Sequence, residues 1–161
     1  MKQVKSYVKR LLFLNILLMA AFATQAQQDK QEKIRELIDS KQYVFTAQSM
    51  SPATGGFRNL TSTYDLQVSK DTVDAFLPYF GRVYVPIIDP TNGPLRFTST
   101  DFSYTVTKGR KNSWDILIKP KDVRSGDQLY LTVFSNGSAS LRVISTDRQP
   151  ITFNGYISKA G

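Results

Sequence analysis

A chain of 161 residues with no cysteine and no histidine excludes disulfide scaffolds, Cys-His and Ser-His-Asp catalysis, and the usual zinc and copper sites, since each needs one of those side chains. The formal charge of +8 overstates the basic character: Lys2, Lys5, Lys9 and Arg10 open the chain with no acid near them, and the other 17 basic residues face 13 acids, a net +4. That excess is scattered and forms no stripe of the kind that marks a nucleic-acid partner.

The four leading cations form the n-region of a secretory signal. A 13-residue apolar run from Leu11 to Ala23 follows, interrupted by Asn15, and Thr24-Gln25-Ala26 places small residues at the last and third-last positions before a polar stretch. Cleavage is expected after Ala26, making residues 1–26 the signal peptide. A spanning helix needs about 20 mostly apolar residues, more than this run supplies, and no basic stop-transfer cluster follows it. No stable membrane insertion is expected after cleavage. A bacterial lipid anchor is excluded as well, because it needs a cysteine. The 135 residues that remain suit one domain with one modest core, in the periplasm or outside the cell.

Asp29 to Lys41 reads as a short helix within an N-terminal segment 27–42. Ile34, Leu37 and Ile38 recur at helical spacing on one face, and Asp29 is the candidate N-cap. Three apolar anchors suit a helix docked on an edge or end of a sheet. From Tyr43 to the C-terminus the chain alternates with period two and is rich in Val, Ile, Thr, Tyr and Phe, which predicts about nine strands in a β domain spanning 43–161. Tyr43 to Ser49 is the first. Leu60, Tyr64, Leu66 and Val68 share a face, and Ser69-Lys70-Asp71 reverses the chain into Thr72 to Leu77. Phe102, Tyr104 and Val106 pair through the turn Lys108 to Asn112 with Trp114, Ile116 and Ile118. Leu129 to Val133 reaches Asn136-Gly137, the strongest short hairpin signal, and Ala139 to Ile144 returns. Asp147 to Pro150 then turns the chain into Ile151, Phe153, Gly155 and Ile157.

Short polar turns between consecutive strands predict an antiparallel meander, mainly β with one short N-terminal helix. Nine strands with one buried face must curl or split, giving a curled open barrel or a sandwich. The longest irregular stretches are Ser51 to Asn59 and Pro86 to Leu95, and loops of this kind carry binding sites more often than strands do.

The chemistry inventory holds no glycine-rich phosphate cradle and no expected cofactor. Asp89 and Asn92 offer two oxygen ligands where calcium takes six to eight, so no metal is expected. No catalytic residue is assigned. The enzymatic alternative is a hydrolase of envelope polymers using a carboxylate pair drawn from Asp65, Asp74, Asp101 and Asp115. Two aromatic groups are the candidate ligand-binding residues: Tyr79, Phe80, Arg82 and Tyr84 around Pro78 and Gly81, and Arg148, Asn154 and Tyr156 near the C-terminus. Asn154-Gly155 inside a strand predicts a bulge or a close approach of another segment.

Several blocks resemble the domain-of-unknown-function 4251 family: Asn59-Leu60-Thr61-Ser62, Tyr64-Asp65-Leu66, Leu77-Pro78-Tyr79-Phe80-Gly81-Arg82, Asp101-Phe102, Ile118-Lys119-Pro120, Leu131-Thr132-Val133-Phe134, Asn136-Gly137-Ser138-Ala139, and Arg148-Gln149-Pro150-Ile151 with Phe153-Asn154-Gly155-Tyr156. The resemblance runs from Tyr43 to Ile157. It implies an exported protein of Bacteroidota-type bacteria, in a Gram-negative periplasm or on the outer surface, with no reaction or ligand to carry over. In that setting Asp71-Thr72-Val73 resembles an O-glycosylation acceptor. The combined expectation is a non-catalytic cell-envelope protein that binds a small ligand, a glycan or a protein partner.

Overall fold

A computed structural model describes residues 25, 27–79, 95–123, 127–146 and 148–160. The n-region and apolar run of the expected signal, Asp89 and Asn92 lie outside them. Helix α1 covers 27–40, with Ile34 and Ile38 buried on its apolar face and Leu37 at the margin. Its start corrects the N-cap expectation. Residues 27 and 28 are already helical, because the glutamines ahead of Asp29 are good helix formers with nothing to break the turn. Asp29 therefore stands within the helix. The C-terminal end closes as a Schellman motif: Lys41 adopts φ 54°, Lys41 N donates to Ile38 O at 3.2 Å and Gln42 N to Leu37 O at 3.3 Å.

Nine strands follow: β1 Tyr43–Pro52, β2 Arg58–Val68, β3 Val73–Leu77, β4 Leu95–Ser99, β5 Phe102–Lys108, β6 Ser113–Pro120, β7 Gln128–Phe134, β8 Ser138–Ile144 and β9 Ile151–Lys159. They form a single sheet in the order β4-β3-β2-β1-β9-β8-β7-β6-β5, every pair antiparallel. The sheet curls into a nearly closed barrel with an unsealed seam, so the barrel alternative holds and the sandwich does not. Sequence neighbours pair throughout except β4 with β5, the two edges. Eight antiparallel steps separate those edges, so they run in the same sense, and only Thr100 and Asp101 stand between them. They are two halves of one bent strand, the first zipped to β3 and the second to β6. The seam opens where the strand bends.

The strand pattern accounts for the core. Tyr43, Phe45, Leu66, Val68, Val73, Ala75, Leu77, Ile116, Ile118, Leu129, Leu131, Leu141, Phe153 and Ile157 face inward at period two and are buried. At one end α1 plugs the barrel. A carbon added at Gly137 would lie 3.3 Å from Ile34 Cδ1. Tyr104 Oη donates to Ile38 O at 3.2 Å, so its one proton is committed there and Tyr43 donates to Tyr104 across 3.2 Å. Burial pushes Tyr104 up to about 12 and Tyr43 well above the ordinary tyrosine range. Both hydroxyls stay protonated and hold the last turn of α1 on the barrel.

The irregular stretch expected from Ser51 to Asn59 is shorter in the structure, at 53–57. Pairing of Ser51 with Thr152 and of Pro52 with Ile151 extends β1 beyond Ser49, and β2 begins at Arg58. The reversal at Ser69 stands where expected, with Ser69 N and Oγ both donating to Thr72 O at 2.8 and 3.0 Å. Thr72, of the Asp71-Thr72-Val73 segment, is half-buried at that turn.

Candidate functional site

The end of the barrel opposite α1 gathers the β1–β2 loop, the exit of β3 and the entry to β9. Tyr79 continues the inward parity of Val73, Ala75 and Leu77 beyond Pro78 and is buried. Its hydroxyl donates to Gln149 O at 3.3 Å, and the Arg148 guanidinium lies 5.0 Å from the centre of its ring, a cation–π arrangement. The β1–β2 loop is tied to the same segment by Ala53 N donating to Pro150 O at 3.2 Å and Thr54 Oγ1 donating to Gln149 Oε1 at 2.9 Å. Phe57, 62 % exposed, stands on this loop. An apolar ring in water and a positioned guanidinium on the same rim form an arrangement that can receive a ligand carrying both an apolar face and an acceptor.

Of the seven residues proposed from sequence, Tyr79 and Arg148 thus meet across 69 positions of chain. Phe80, Arg82 and Tyr84 lie outside the described residues. Asn154 and Tyr156 stand elsewhere, exposed on the outer wall of β9. Asn154 is the fourth residue of β9, about 10 Å along the strand from Ile151 at ~3.3 Å per residue, and even-numbered positions of β9 point outward. Sequence reasoning missed Phe57 and Gln149. Gly55-Gly56-Phe57 was readable as a loop, but a lone aromatic after two glycines has no periodicity to distinguish it.

Of the four carboxylates of the enzymatic alternative, Asp65 and Asp74 share the β2–β3 pair, while Asp101 stands at the seam and Asp115 on β6. Asp65 accepts from Gln67 Nε2 at 3.4 Å, Asp74 from the Thr98 hydroxyl, and Asp115 from Thr132 Oγ1 at 2.7 Å, while Asp101 pairs with Lys121 at 2.9 Å. Pairing of Asp65 with Phe76 and of Gln67 with Asp74 makes Asp65 and Asp74 diagonal neighbours on the outer wall, about 7–8 Å apart. Among the described residues, no group of three or more carboxylates is placed to hold a metal ion, and no helix is long and apolar enough to cross a membrane.

A fifth acid, unnoticed in the sequence, organises the seam. Asp122 Oδ1 accepts from buried Ser99 Oγ, and Oδ2 accepts from Thr100 N at 2.9 Å and Asp101 N at 3.2 Å. The Ser99 hydrogen bond, then that of Thr100, lowers its carboxyl to about 2 from an ordinary 3.8. A folded-state pKa below the unfolded one gives stability that is present above 3.8 and lost as pH falls through about 2. Acid titration of the urea midpoint should therefore be steeper over that window in the wild type than in Asp122→Asn. Parallel acid limbs would show that the corner does not depend on the carboxylate.

The fold and the rim define a small antiparallel barrel closed at one end by a helix, with loops carrying the exposed chemistry at the other. The family model "Domain of unknown function (DUF4251)" matches residues 25–157, and the chain belongs to that family. Among solved structures it is similar to a DUF4251 family protein from Bacteroides eggerthii DSM 20697, at 13 % identity and a TM-score of 0.58, over 81 % of this chain and 87 % of that one; at that identity the likeness is one of fold. No curated protein matches.

Proposed function

We propose that this chain is an exported, non-catalytic cell-envelope protein that binds a small ligand, a glycan or a protein partner at the barrel rim. The observation that carries the reading is Arg148, stacked on Tyr79 on the same rim as exposed Phe57. The ring of buried Tyr79 positions the cation on the turn before β9, and the short β1–β2 loop carries the apolar ring. The non-catalytic part rests on the acids, each engaged by a neighbour on the outer wall or at the seam. The hydrolase alternative would rest on Asp65 and Asp74.

Two results test the proposal. Produced in a Gram-negative host, the periplasmic product should have the intact mass of a chain beginning at Gln27; a cytoplasmic product retaining residues 1–26 overturns export. The double variant Phe57→Ala, Arg148→Ala should keep the wild-type circular dichroism and melting curve while retention on immobilised envelope polymers falls at least about tenfold, as expected for losing an apolar contact and a charged hydrogen-bond donor. Undiminished retention by a folded double variant overturns the rim as the binding site.

A further inference from the structure

A concave site lies at the opposite end, between α1 and the β5–β6 hairpin. It arises from the seam. β5 is an edge strand whose Val106 stays 37 % exposed, and α1 crosses the hairpin without filling the gap. The resulting cleft has a volume of about 470 Å³, within the range of small-ligand pockets. Gln31, Arg35 and Asp39 form one wall at successive i, i+4 positions, Val106 and Trp114 form an apolar floor, and Lys108 and Asn112 stand at the hairpin end. Lys108 lies directly across from Trp114 in the ladder.

We propose that this cleft binds an acidic saccharide. The half-buried Trp114 ring and Val106 offer an apolar surface to the C–H face of a sugar. The side-chain amides of Gln31 and Asn112, with no internal hydrogen bond among the described residues, offer donors and acceptors to its hydroxyls. Two cations face one acid, which gives the carboxylate its place. Asp39 engages Arg35 only through Nε, at 3.4 Å in a solvent-exposed pair, leaving the terminal nitrogens of the guanidinium for a planar carboxylate. Lys108 makes no ion pair among the described residues. The site stands apart from the rim and does not depend on it.

Trp114 is the only tryptophan in the chain, so tryptophan emission reports on this cleft alone. Titrating the purified protein with digalacturonate should give a saturable change in emission, with galactobiose, its counterpart without carboxylates, binding about tenfold more weakly. Arg35→Ala, at an exposed position, should weaken digalacturonate about tenfold and bring the two sugars level, and Lys108→Ala should do the same. Arg148→Ala, at the rim, should leave the titration unchanged. Polygalacturonate binding more tightly per uronate would identify the source as a polymer, and equal binding a free sugar acid; either supports the site. No saturable change with digalacturonate, equal affinity for the two disaccharides, or an Arg35→Ala titration matching the wild type overturns it.

Discussion

Gly155→Ala should cost this protein at least about 3 kcal/mol, with a fall in Tm on the order of 10 °C. A methyl carbon at Gly155 would lie 1.9 Å from Thr46 O, 2.9 Å from Thr46 C and 3.1 Å from Ala47 Cα. All three atoms are backbone of β1, the strand with which β9 pairs in the middle of the sheet. No rotamer change relieves the overlap, so the β1–β9 ladder must part. The cause of the closeness is a bulge: the register shifts between Ala47 and Ser49, and against β9 this leaves Gln48 as the extra residue and presses the β1 backbone toward Gly155, whereas against β2 the surplus lies in β2, between Asn59 and Tyr64. Gly56→Ala is the control. Nothing lies within 4 Å of its added carbon, so it should leave the urea midpoint within about 0.5 kcal/mol of wild type. Equal midpoints for the two variants would show that β1 shifts freely and that the close approach is not structural.

Phe45→Ala should be comparably damaging, at about 3–5 kcal/mol. Phe45 is fully buried and sits in β1 opposite Leu66 of β2 and Ile157 of β9, so deleting its ring leaves a void at the junction of the two halves of the sheet. With whole-domain stabilities of about 5–15 kcal/mol, the variant should be partly unfolded or close to it at 37 °C. Phe45→Leu, which retains most of the volume, should recover all but about 1.5 kcal/mol. A loss below about 1 kcal/mol for Phe45→Ala would mean that the interior collapses around the gap and that the barrel is looser than its burial pattern indicates.

Local signals were legible in the sequence, and non-local ones were not. The β5–β6 and β7–β8 hairpins could be placed because period-two alternation and the Asn136-Gly137 turn act over a few residues. Gly155 announced a close approach without naming its partner. Pairing of β1 with β9 spans most of the domain, and no pattern in either strand specifies it. Leu95–Ser99 has five residues and directly follows a Pro- and Gly-rich stretch, so its alternation is too short to stand out, and its role as the first half of a bent strand depends on Asp122, a single acid with no motif around it. The same division holds at the rim. Tyr79 was visible in a dense aromatic segment and Arg148 in a turn; their contact is tertiary, as is the tie between Thr54 and Gln149 that fixes the loop bearing Phe57. Asn154 and Tyr156 were grouped with Arg148 by proximity in sequence, whereas strand geometry carries them up the outer wall.

The rim as a binding site is tested most directly by mapping backbone amide shifts of the isotope-labelled protein against a cell-envelope extract separated into small molecules, glycans and proteins. One fraction should produce saturable shifts gathered at Thr54, Phe57, Tyr79, Arg148 and Gln149, with no turnover of the fraction. Shifts centred on Asp65 and Asp74 accompanied by cleavage of a glycan, or no fraction that moves the rim amides, would contradict the account.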